Sequence, residues 1–277
     1  MENDINHLSK SCLKISKNVR KKTLKMVTIS QSIHIGSALS IVDILVSLYF
    51  GILNVYPSDP KYDNRDRFIL SKGHASAALY ATLSEKGFFS DDLLDKYAID
   101  GGVLPDHLDR NIALGIETSS GSLGHGLSIA IGMAIAAKYD NKNYKCYVLM
   151  SDGECDEGSV WEAAMLAAQL KLDNLVVIID YNKIQNFGRV EEVINLEPLS
   201  EKWRSFGWAV KETNGHDFQG LLNSFASLPM ETAKPNIVIA HTVRGKGVSF
   251  MEDKIEWYYK FPTQEQYEKA IKEIDSS

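Results

Sequence analysis

Two short runs of the sequence are apolar along almost their whole length, and each ends abruptly in polar residues. They are YVLM at 147–150, followed by SDG, and LVVIID at 175–180, followed by YNK. A strand with one face in water alternates apolar and polar residues, whereas a continuous apolar run is typical of a strand that is buried on both faces, as in parallel sheets. The two runs therefore predict the centre of a parallel sheet that is covered by helices on both sides.

Helical and strand patterns alternate along the rest of the chain. The predicted strands are 67–70, 145–150, 175–180, 208–211 and 236–241, and the predicted helices are 5–30, 41–50, 74–86, 125–139, 158–170 and 217–227. This alternation implies right-handed crossovers. The predicted fold class is therefore α/β, a doubly wound, mostly parallel sheet flanked by helices. No linker divides the sequence, so we expect residues 1–277 to form a single domain.

Composition argues against several functional classes. The net charge of -6 is not offset by any basic stripe, which argues against a nucleic-acid-binding role. The three cysteines are widely spaced and form no CxxC pair, as is usual in a reducing compartment. The N-terminus is polar and no apolar stretch reaches the ~18 residues that span a bilayer. We expect a soluble cytoplasmic protein without membrane contacts.

Polar residues follow the two central strands at the edge where ligands bind in such sheets. Asp152 comes after the first strand and Asn182 comes after the next, 30 residues later. A carboxylate and an amide oxygen are ligands that suit Mg²⁺ or Ca²⁺. Gly153 allows a phosphate to approach the backbone, and a helix that begins near Gly158 directs its positive end toward an anion. A plain turn is the alternative for DGE alone, but the joint spacing favours a Mg²⁺-bridged diphosphate site.

A second glycine-rich segment, GSLGHG at 121–126, precedes the helix that runs to 139. It matches neither GxxxxGK[ST] nor GxGxxG, and no strand plainly precedes it. The segment is either a loop whose backbone contacts a cofactor or a turn with a purely steric role. The spacing of its glycines alone does not distinguish these two alternatives.

Five segments together carry a family resemblance. They are SDGECDEGSVWEAAMLAAQLKLDNLVVIIDYNKIQ (151–185), HIGSALS (34–40), RFILSKGHASAALY (67–80), GSLGHGLSIAIGMA (121–134) and VRGKGVSFMED (243–253). Taken together they resemble the diphosphate-binding domain of transketolases, whose motif is usually GDG followed about thirty residues later by N. Ser151 replaces the first glycine here.

The resemblance implies cofactors and site residues. It implies thiamine diphosphate (thiamine pyrophosphate) with Mg²⁺, for which Ca²⁺ or Mn²⁺ can substitute. The implied metal ligands are Asp152, Asn182 and the backbone carbonyl of Ile184, and the implied cofactor contacts are His74, Gly121, Ser122, Leu123, Gly153, Arg244 and Tyr258. His34 and His107 resemble histidines that contact the sugar, and Glu157 resembles the acid that links paired cofactor sites. Glu162 is a second candidate for that link.

The remaining histidines and acids receive simpler interpretations. We interpret His7 and His216 as structural, and His241 as either structural or functional. Glu154 and Asp156 are expected to be solvated residues at the start of a helix.

A complete transketolase also has a pyrimidine-binding domain and a C-terminal domain, and neither is represented here. The resemblance therefore implies a transketolase-type transferase that is active only with a partner. We expect the chain to be the N-terminal subunit, paired with a C-terminal subunit that carries the pyrimidine-binding domain in an α2β2 heterotetramer. Together they would transfer a two-carbon ketol unit from a ketose phosphate to an aldose phosphate, a reaction of carbohydrate metabolism of the pentose phosphate kind.

Two positions depart from the family pattern. Tyr258 stands where relatives have the histidine of a Trp-His-Gly sequence, and Arg244 stands where many have lysine. Tyrosine, with an ordinary pKa near ~10, is a poor proton shuttle at neutral pH. The departures leave open a specialised ketol transfer or a deoxyxylulose-phosphate-synthase-like enzyme. A separate alternative is another thiamine-diphosphate enzyme, for acyl transfer or as the α subunit of a 2-oxoacid dehydrogenase, although the segment DNLVVIIDYNKIQ favours the transketolase branch over the dehydrogenase one. A relative that only binds the cofactor or the partner is a further alternative.

Overall fold

The computed structural model describes residues 2–276, and their strands form one five-stranded sheet in which all neighbours are parallel. The strands are β1 (Arg67–Leu70), β2 (Cys146–Ser151), β3 (Leu175–Tyr181), β4 (Ala209–Asn214) and β5 (Asn236–His241). Their order across the sheet is β1-β2-β3-β5-β4. The predicted fold class is confirmed: β2 and β3 are adjacent in the interior of the sheet and are buried along their length.

Helices cover both faces of the sheet. They are α1 (Glu2–Ser30), α2 (Ile35–Ser40), α3 (Val42–Ser47), α4 (Ser76–Lys86), α5 (Gly126–Tyr139), α6 (Gly158–Gln169), α7 (Val190–Val193), α8 (Leu199–Ser205), α9 (Phe218–Ala226) and α10 (Gln264–Ser276). Among these described helices none combines the length and the apolar composition that crossing a bilayer would need.

Alternate residues of each central strand contribute to two separate cores. Tyr147 and Leu149 of β2 pack on the side of α1–α4, together with α9 and α10. Val148 and Met150 of the same strand pack on the side of α5, α6 and α8. Successive side chains of a strand point to opposite faces, so an uninterrupted apolar run fills both cores.

The predicted helix at 41–50 is wrong in its bounds. The structure has α2 and α3 separated at Ile41, followed by a π-helical turn at Leu48–Ile52. Residues 35–49 are all buried, so packing rather than an amphipathic period sets where these segments begin and end. The C-terminal α10 was not predicted, although Tyr267, Ala270 and Ile274 recur at helical spacing on its inner face.

Candidate functional site

The carboxyl ends of β2 and β3 open into a cavity of about 250 Å³. Several residues that the sequence singles out line it together, although they are distant along the chain. They are His74, Leu123, Asp152, Gly153, Glu157, Asn182, Ile184, Arg244 and Tyr258. The cavity lies where ligands bind in open α/β sheets.

Asp152 is the first residue after β2, and it is only 1% exposed. Its Oδ1 accepts a hydrogen bond from the amide of Gly153 (2.8 Å), and its Oδ2 accepts one from the amide of Lys183 (2.6 Å). Burial raises the pKa of Asp152 to about 7, and the neighbouring Asp180 carboxylate adds to the rise. A buried carboxylate with this pKa gains stability from a cation.

Asn182 and Ile184 supply neutral oxygens at the next strand end. Asn182 Oδ1 accepts a hydrogen bond from the amide of Ile184 (3.0 Å), and its Nδ2 donates to Asp180 Oδ2 (2.9 Å). Lys183, between them, has a φ of 64°, in the left-handed region. This turn brings the Lys183 amide to Asp152 and joins the two strand ends.

The donor set fits a hard divalent cation that retains other oxygen ligands. It offers the Asp152 carboxylate, the Asn182 amide oxygen and the Ile184 carbonyl, and Mg²⁺ prefers oxygens of this kind and usually keeps water or phosphate ligands. No group of three His, Cys, Asp or Glu side chains within residues 2–276 is arranged to hold a metal by itself.

A buried ion pair supports this edge of the sheet, and no sequence pattern identified it. The Lys72 ammonium lies 2.5 Å from Oδ2 of Asp180, and both side chains are fully buried. Ser40, Thr242 and Asn182 also donate to Asp180. Burial opposes ionisation of Asp180, but Lys72 and these donors hold its pKa below the ordinary value. The sequence feature that could have pointed to this ion pair is Asp180, an acidic residue within the otherwise apolar run at 175–180.

Four rings form a cluster beside the cavity. The His34 ring centroid lies 4.6 Å from that of Tyr258, 5.2 Å from that of His74 and 6.0 Å from that of His107. His74 Nε2 is 2.9 Å from Ser37 Oγ, and His107 Nδ1 is 3.0 Å from Asp106 Oδ1. The structure thus brings together the three histidines that the motifs selected, and it adds Tyr258 to them.

His34 has an unusual backbone and an unusual environment. Its φ of 74° is uncommon for a residue with a side chain, and its amide donates to the Tyr258 carbonyl (2.9 Å). Its Nδ1 is buried without a hydrogen-bond partner among the described residues. Burial lowers the pKa of His34 to about 4, and His107 contributes to the shift. Burial likewise lowers the pKa of His74, with a contribution from Lys72. Both rings are therefore neutral at pH 7.

Arg244 is 2% exposed and connects the strand-end oxygens with the ring cluster. Its Nη1 donates to the Ile184 carbonyl (2.7 Å), and its guanidinium lies 5.0 Å from the centroid of the Tyr258 ring. Its Nε is buried without a hydrogen-bond partner in the described part of the chain. Arg244 therefore lines the cavity with a cationic side chain, one of whose donors is buried and unpartnered within the described residues.

The glycine-rich segment at 121–126 lies against the histidines. Gly121 has a φ of 139°, and a Cβ at this position would lie 2.7 Å from Cδ2 of His107. Leu123 lines the cavity, whereas Ser122 is exposed and lines a neighbouring one. Because Gly121 lies so close to His107, this position has no room for a side chain. The loop therefore has a steric constraint at Gly121 as well as a position beside the cavity.

The four acids of SDGECDEG occupy different environments, and one prediction about them is wrong. Glu154 is fully buried: it accepts hydrogen bonds from the Gly124 and Ser151 amides and from Ser71 Oγ. Asp156 accepts from Gln185 Nε2 (2.7 Å), and its Oδ1 is buried. Neither is a freely solvated residue. Glu157 is exposed at the start of α6, and Glu162 is exposed further along this helix.

Comparison with known proteins agrees with this geometry. Residues 12–258 match a family model described as "Transketolase, thiamine diphosphate binding domain". The chain is 47% identical over 259 residues to an apulose-4-phosphate transketolase subunit of Phocaeicola vulgatus, with 94% of this chain and 92% of that protein covered. It is 40% identical to a 6-deoxy-6-sulfo-D-fructose transketolase subunit of Clostridium sp., covering 93% and 94% of the two chains.

A solved structure shows the same architecture in a longer protein. The transketolase of Campylobacter jejuni superposes with a TM-score of 0.87 at 30% identity, and the match covers 95% of this chain. The chain spans 42% of the length of that transketolase. The matched family model, the subunit relatives and this superposition show together that the chain belongs to the transketolase family and comprises its thiamine diphosphate binding domain.

Proposed function

We propose that the chain is the subunit of a two-part transketolase that holds the diphosphate of thiamine diphosphate through Mg²⁺. The observation that carries the proposal is the meeting of Asp152, Asn182 and Ile184 at one cavity, with Arg244 and His74 beside them. The first three residues offer oxygens for the metal ion. The Arg244 guanidinium, which lines the cavity, is a cationic donor suited to a phosphate oxygen.

The neighbouring residues have complementary roles in this proposal. Gly153 places backbone beside the diphosphate, His74 donates a hydrogen bond to it, and Tyr258 holds the Arg244 guanidinium through its ring face. Gly121, Ser122 and Leu123 lie along the cofactor rings. Ca²⁺ or Mn²⁺ serves as a substitute metal because the ligands are all oxygens.

When bound, thiamine diphosphate supplies the electron sink for cleaving a ketose carbon–carbon bond. The protein then has to position the sugar and move protons at its hydroxyl groups. His34 and His107 suit this task, because a ring nitrogen of an imidazole can donate or accept a hydrogen bond at a sugar hydroxyl group. The Asp106 contact at His107 Nδ1 orients that ring and leaves Nε2 for the sugar.

A partner subunit is the second part of the proposal. The cavity of about 250 Å³ is smaller than the ~300–1,000 Å³ of a typical pocket for a whole ligand, so part of the cofactor would be covered by another surface. We infer that a C-terminal subunit with a pyrimidine-binding domain completes the site in an α2β2 heterotetramer in the cytoplasm. Glu157, exposed at the edge of the cavity, would lie in the carboxylate network between paired sites.

The sugar is expected to differ from the common pentose phosphates. Tyr258 replaces a histidine beside His34, so the pocket has one basic nitrogen fewer for the substrate. Two similar subunits are named for apulose-4-phosphate and for 6-deoxy-6-sulfo-D-fructose. These relatives support transketolase chemistry over deoxyxylulose-phosphate synthesis or 2-oxoacid oxidation.

Turnover with and without a partner tests the proposal. The chain would be co-expressed with the product of a neighbouring gene that encodes a pyrimidine-binding domain, and the pair would be assayed with a panel of ketose donors in thiamine diphosphate and Mg²⁺. We expect ketol transfer from the pair and none from the purified chain. Robust turnover by the chain alone would refute the two-part assignment.

A Tyr258→His variant of the pair tests the role of Tyr258 in choosing the sugar. It should change the ranking of ketose donors, and an unchanged ranking would show that Tyr258 does not select the substrate.

A further inference from the structure

Arg244 belongs to a short segment, 243–247 (VRGKG), that follows β5 and lies outside the helices and strands. The Val243 amide donates to Nε2 of His216 (2.8 Å) at one end of the segment. Near the other end, the Lys246 carbonyl accepts from Nε of Arg20 (3.1 Å). Side chains from two distant parts of the chain thus hold the backbone on both sides of Arg244.

Both supports converge on one buried carboxylate, Asp43 in α3. Arg20 donates to it through Nη1 (2.8 Å) and Nη2 (2.6 Å), and His216 Nδ1 lies 2.8 Å from its Oδ2. Asp43 is 3% exposed. Burial alone would raise its pKa, but Arg20 and His216 hold the pKa at about 2, so the carboxylate is charged at any working pH. We call Arg20, Asp43 and His216 the Asp43 cluster.

The hydrogen bonds fix the tautomer of His216. The Val243 amide is a donor, so ring Nε2 must be the acceptor and carry no proton. The ring proton is then on Nδ1, where it is donated to Asp43. A charged carboxylate favours this arrangement, because it stabilises the Nδ1–H and leaves Nε2 to accept. In the hydrogen-bonded series Asp43–His216–Val243, Asp43 therefore fixes the ring proton of His216 on Nδ1. His216 Nε2 is then the acceptor for the Val243 amide.

The Asp43 cluster does not line the cofactor cavity. Its three residues line a separate cavity of about 380 Å³ together with Lys246 and Gly247. Arg244 instead reaches the other cavity, where its guanidinium contacts the Ile184 carbonyl and the Tyr258 ring. The direct hydrogen bonds from the Asp43 cluster toward that cavity go to the backbone of the segment that carries Arg244.

We propose that Arg20, Asp43 and His216 are positioning residues that hold segment 243–247 so that Arg244 meets the cofactor diphosphate. This inference rests on the proposed function and adds to it a set of residues that touch neither cofactor nor substrate. It also replaces the interpretation of His216 as a merely structural histidine.

Two substitutions of His216 separate its two hydrogen bonds. His216→Asn keeps an amide nitrogen near the position of Nδ1, so the bond to Asp43 is retained and the acceptor for Val243 is lost. His216→Gln extends an amide oxygen to the position of Nε2, so the acceptor for Val243 is retained. A structural role alone would lower the melting temperature of both variants and leave the cofactor affinity of the folded protein unchanged.

The experiment measures hydrogen exchange in residues 243–251 of the full chain and the Kd for thiamine diphosphate at saturating Mg²⁺. For His216→Asn we expect faster exchange in the segment and an affinity about tenfold weaker, the size of one hydrogen bond. For His216→Gln we expect exchange close to that of the unsubstituted chain and an affinity within about threefold of it.

Equal Kd values for the two variants, or unchanged exchange in His216→Asn, would overturn the inference while the proposed function stands. If the unsubstituted chain bound no thiamine diphosphate either alone or together with its partner subunit, the proposed function would fail and the positioning role would fail with it. An Arg20→Gln variant gives an independent check at the other end of the segment. It should also speed exchange there, and normal exchange would count against the Asp43 cluster.

Discussion

The Lys72 ammonium and the Asp180 carboxylate form an ion pair with Nζ 2.5 Å from Oδ2, and neither side chain is exposed to solvent. The same carboxylate oxygen accepts a hydrogen bond from Nδ2 of Asn182. This contact fixes which end of the Asn182 amide faces Asp180, and it leaves the amide oxygen on the other side. The ion pair therefore orients a proposed metal ligand from behind.

Replacing Lys72 by methionine should be strongly destabilising. The substitution keeps most of the apolar stem but leaves the Asp180 charge buried without its partner, which typically costs about 3–5 kcal/mol. Urea unfolding of the chain measures the change in the free energy of unfolding. The control is Lys25→Met, because Lys25 forms an ion pair with Asp95 in which both side chains are about half exposed. Such pairs contribute roughly 1 kcal/mol or less, and similar losses in both variants would contradict the account.

The buried histidines should make a contribution to stability that falls as the pH is lowered through the range in which they resist protonation. His34 has a pKa of about 4 in the fold against an ordinary 6.5. Between these values the unfolded chain binds a proton that the folded chain does not, so the free energy of unfolding decreases by about 1.4 kcal/mol per pH unit for this group. The lowered pKa of His74 acts in the same direction.

Asp152 acts in the opposite direction, because its pKa is raised to about 7. Between the ordinary pKa of 3.8 and the raised value of about 7, the folded chain binds a proton at Asp152 that the unfolded chain has lost. The contribution of Asp152 to the free energy of unfolding therefore falls as the pH rises. The contribution of His34 is therefore measured as a difference between unfolding curves of the unsubstituted chain and His34→Asn from pH 7 to pH 4. The variant should lose less stability on acidification. Parallel curves would show that His34 is not held neutral by the fold.

Gly121 should tolerate no side chain. A Cβ there would lie 2.7 Å from the His107 ring, and the φ of 139° is a conformation that alanine rarely adopts. We expect Gly121→Ala to destabilise the chain by about 1 kcal/mol or more and to lower ketol transfer by the assembled enzyme, because His107 has to move. The matched control is Gly132→Ala in α5, where a Cβ meets open space. This change should stabilise the helix by about 0.5–1 kcal/mol, and equal effects at both glycines would be inconsistent with the contact.

The sheet and the two strand-end ligands could be predicted because local patterns specify them. Continuous apolar runs identified β2 and β3 within one or two residues, and the turn after each run identified Asp152 and Asn182. The half-exposed β4 was predicted to end three residues too early because its outer residues are polar. Local sequence misled the prediction at Glu154, where four nearby acids look solvated although this one bonds to Ser71, 83 positions away.

Long-range pairing explains what else could not be predicted. Lys72 meets Asp180 across 108 positions, and Asp43 meets His216 across 173. Periodicity and spacing contain no information about which charges are brought together by the crossovers of a doubly wound sheet. His34, His74 and His107 were selected only because their motifs resemble those of a family, and the ring distances place them in one cluster.

The most direct test of the Mg²⁺-bridged diphosphate site is a calorimetric titration of the full chain with thiamine diphosphate, in Mg²⁺ and again in a chelator. We expect saturable binding that requires the metal, that is lost in Asp152→Ala, and that is unchanged in Asp140→Ala, where the replaced acid is exposed at the end of α5. Undiminished thiamine diphosphate affinity in Asp152→Ala, or equal affinity with and without Mg²⁺, would contradict this assignment.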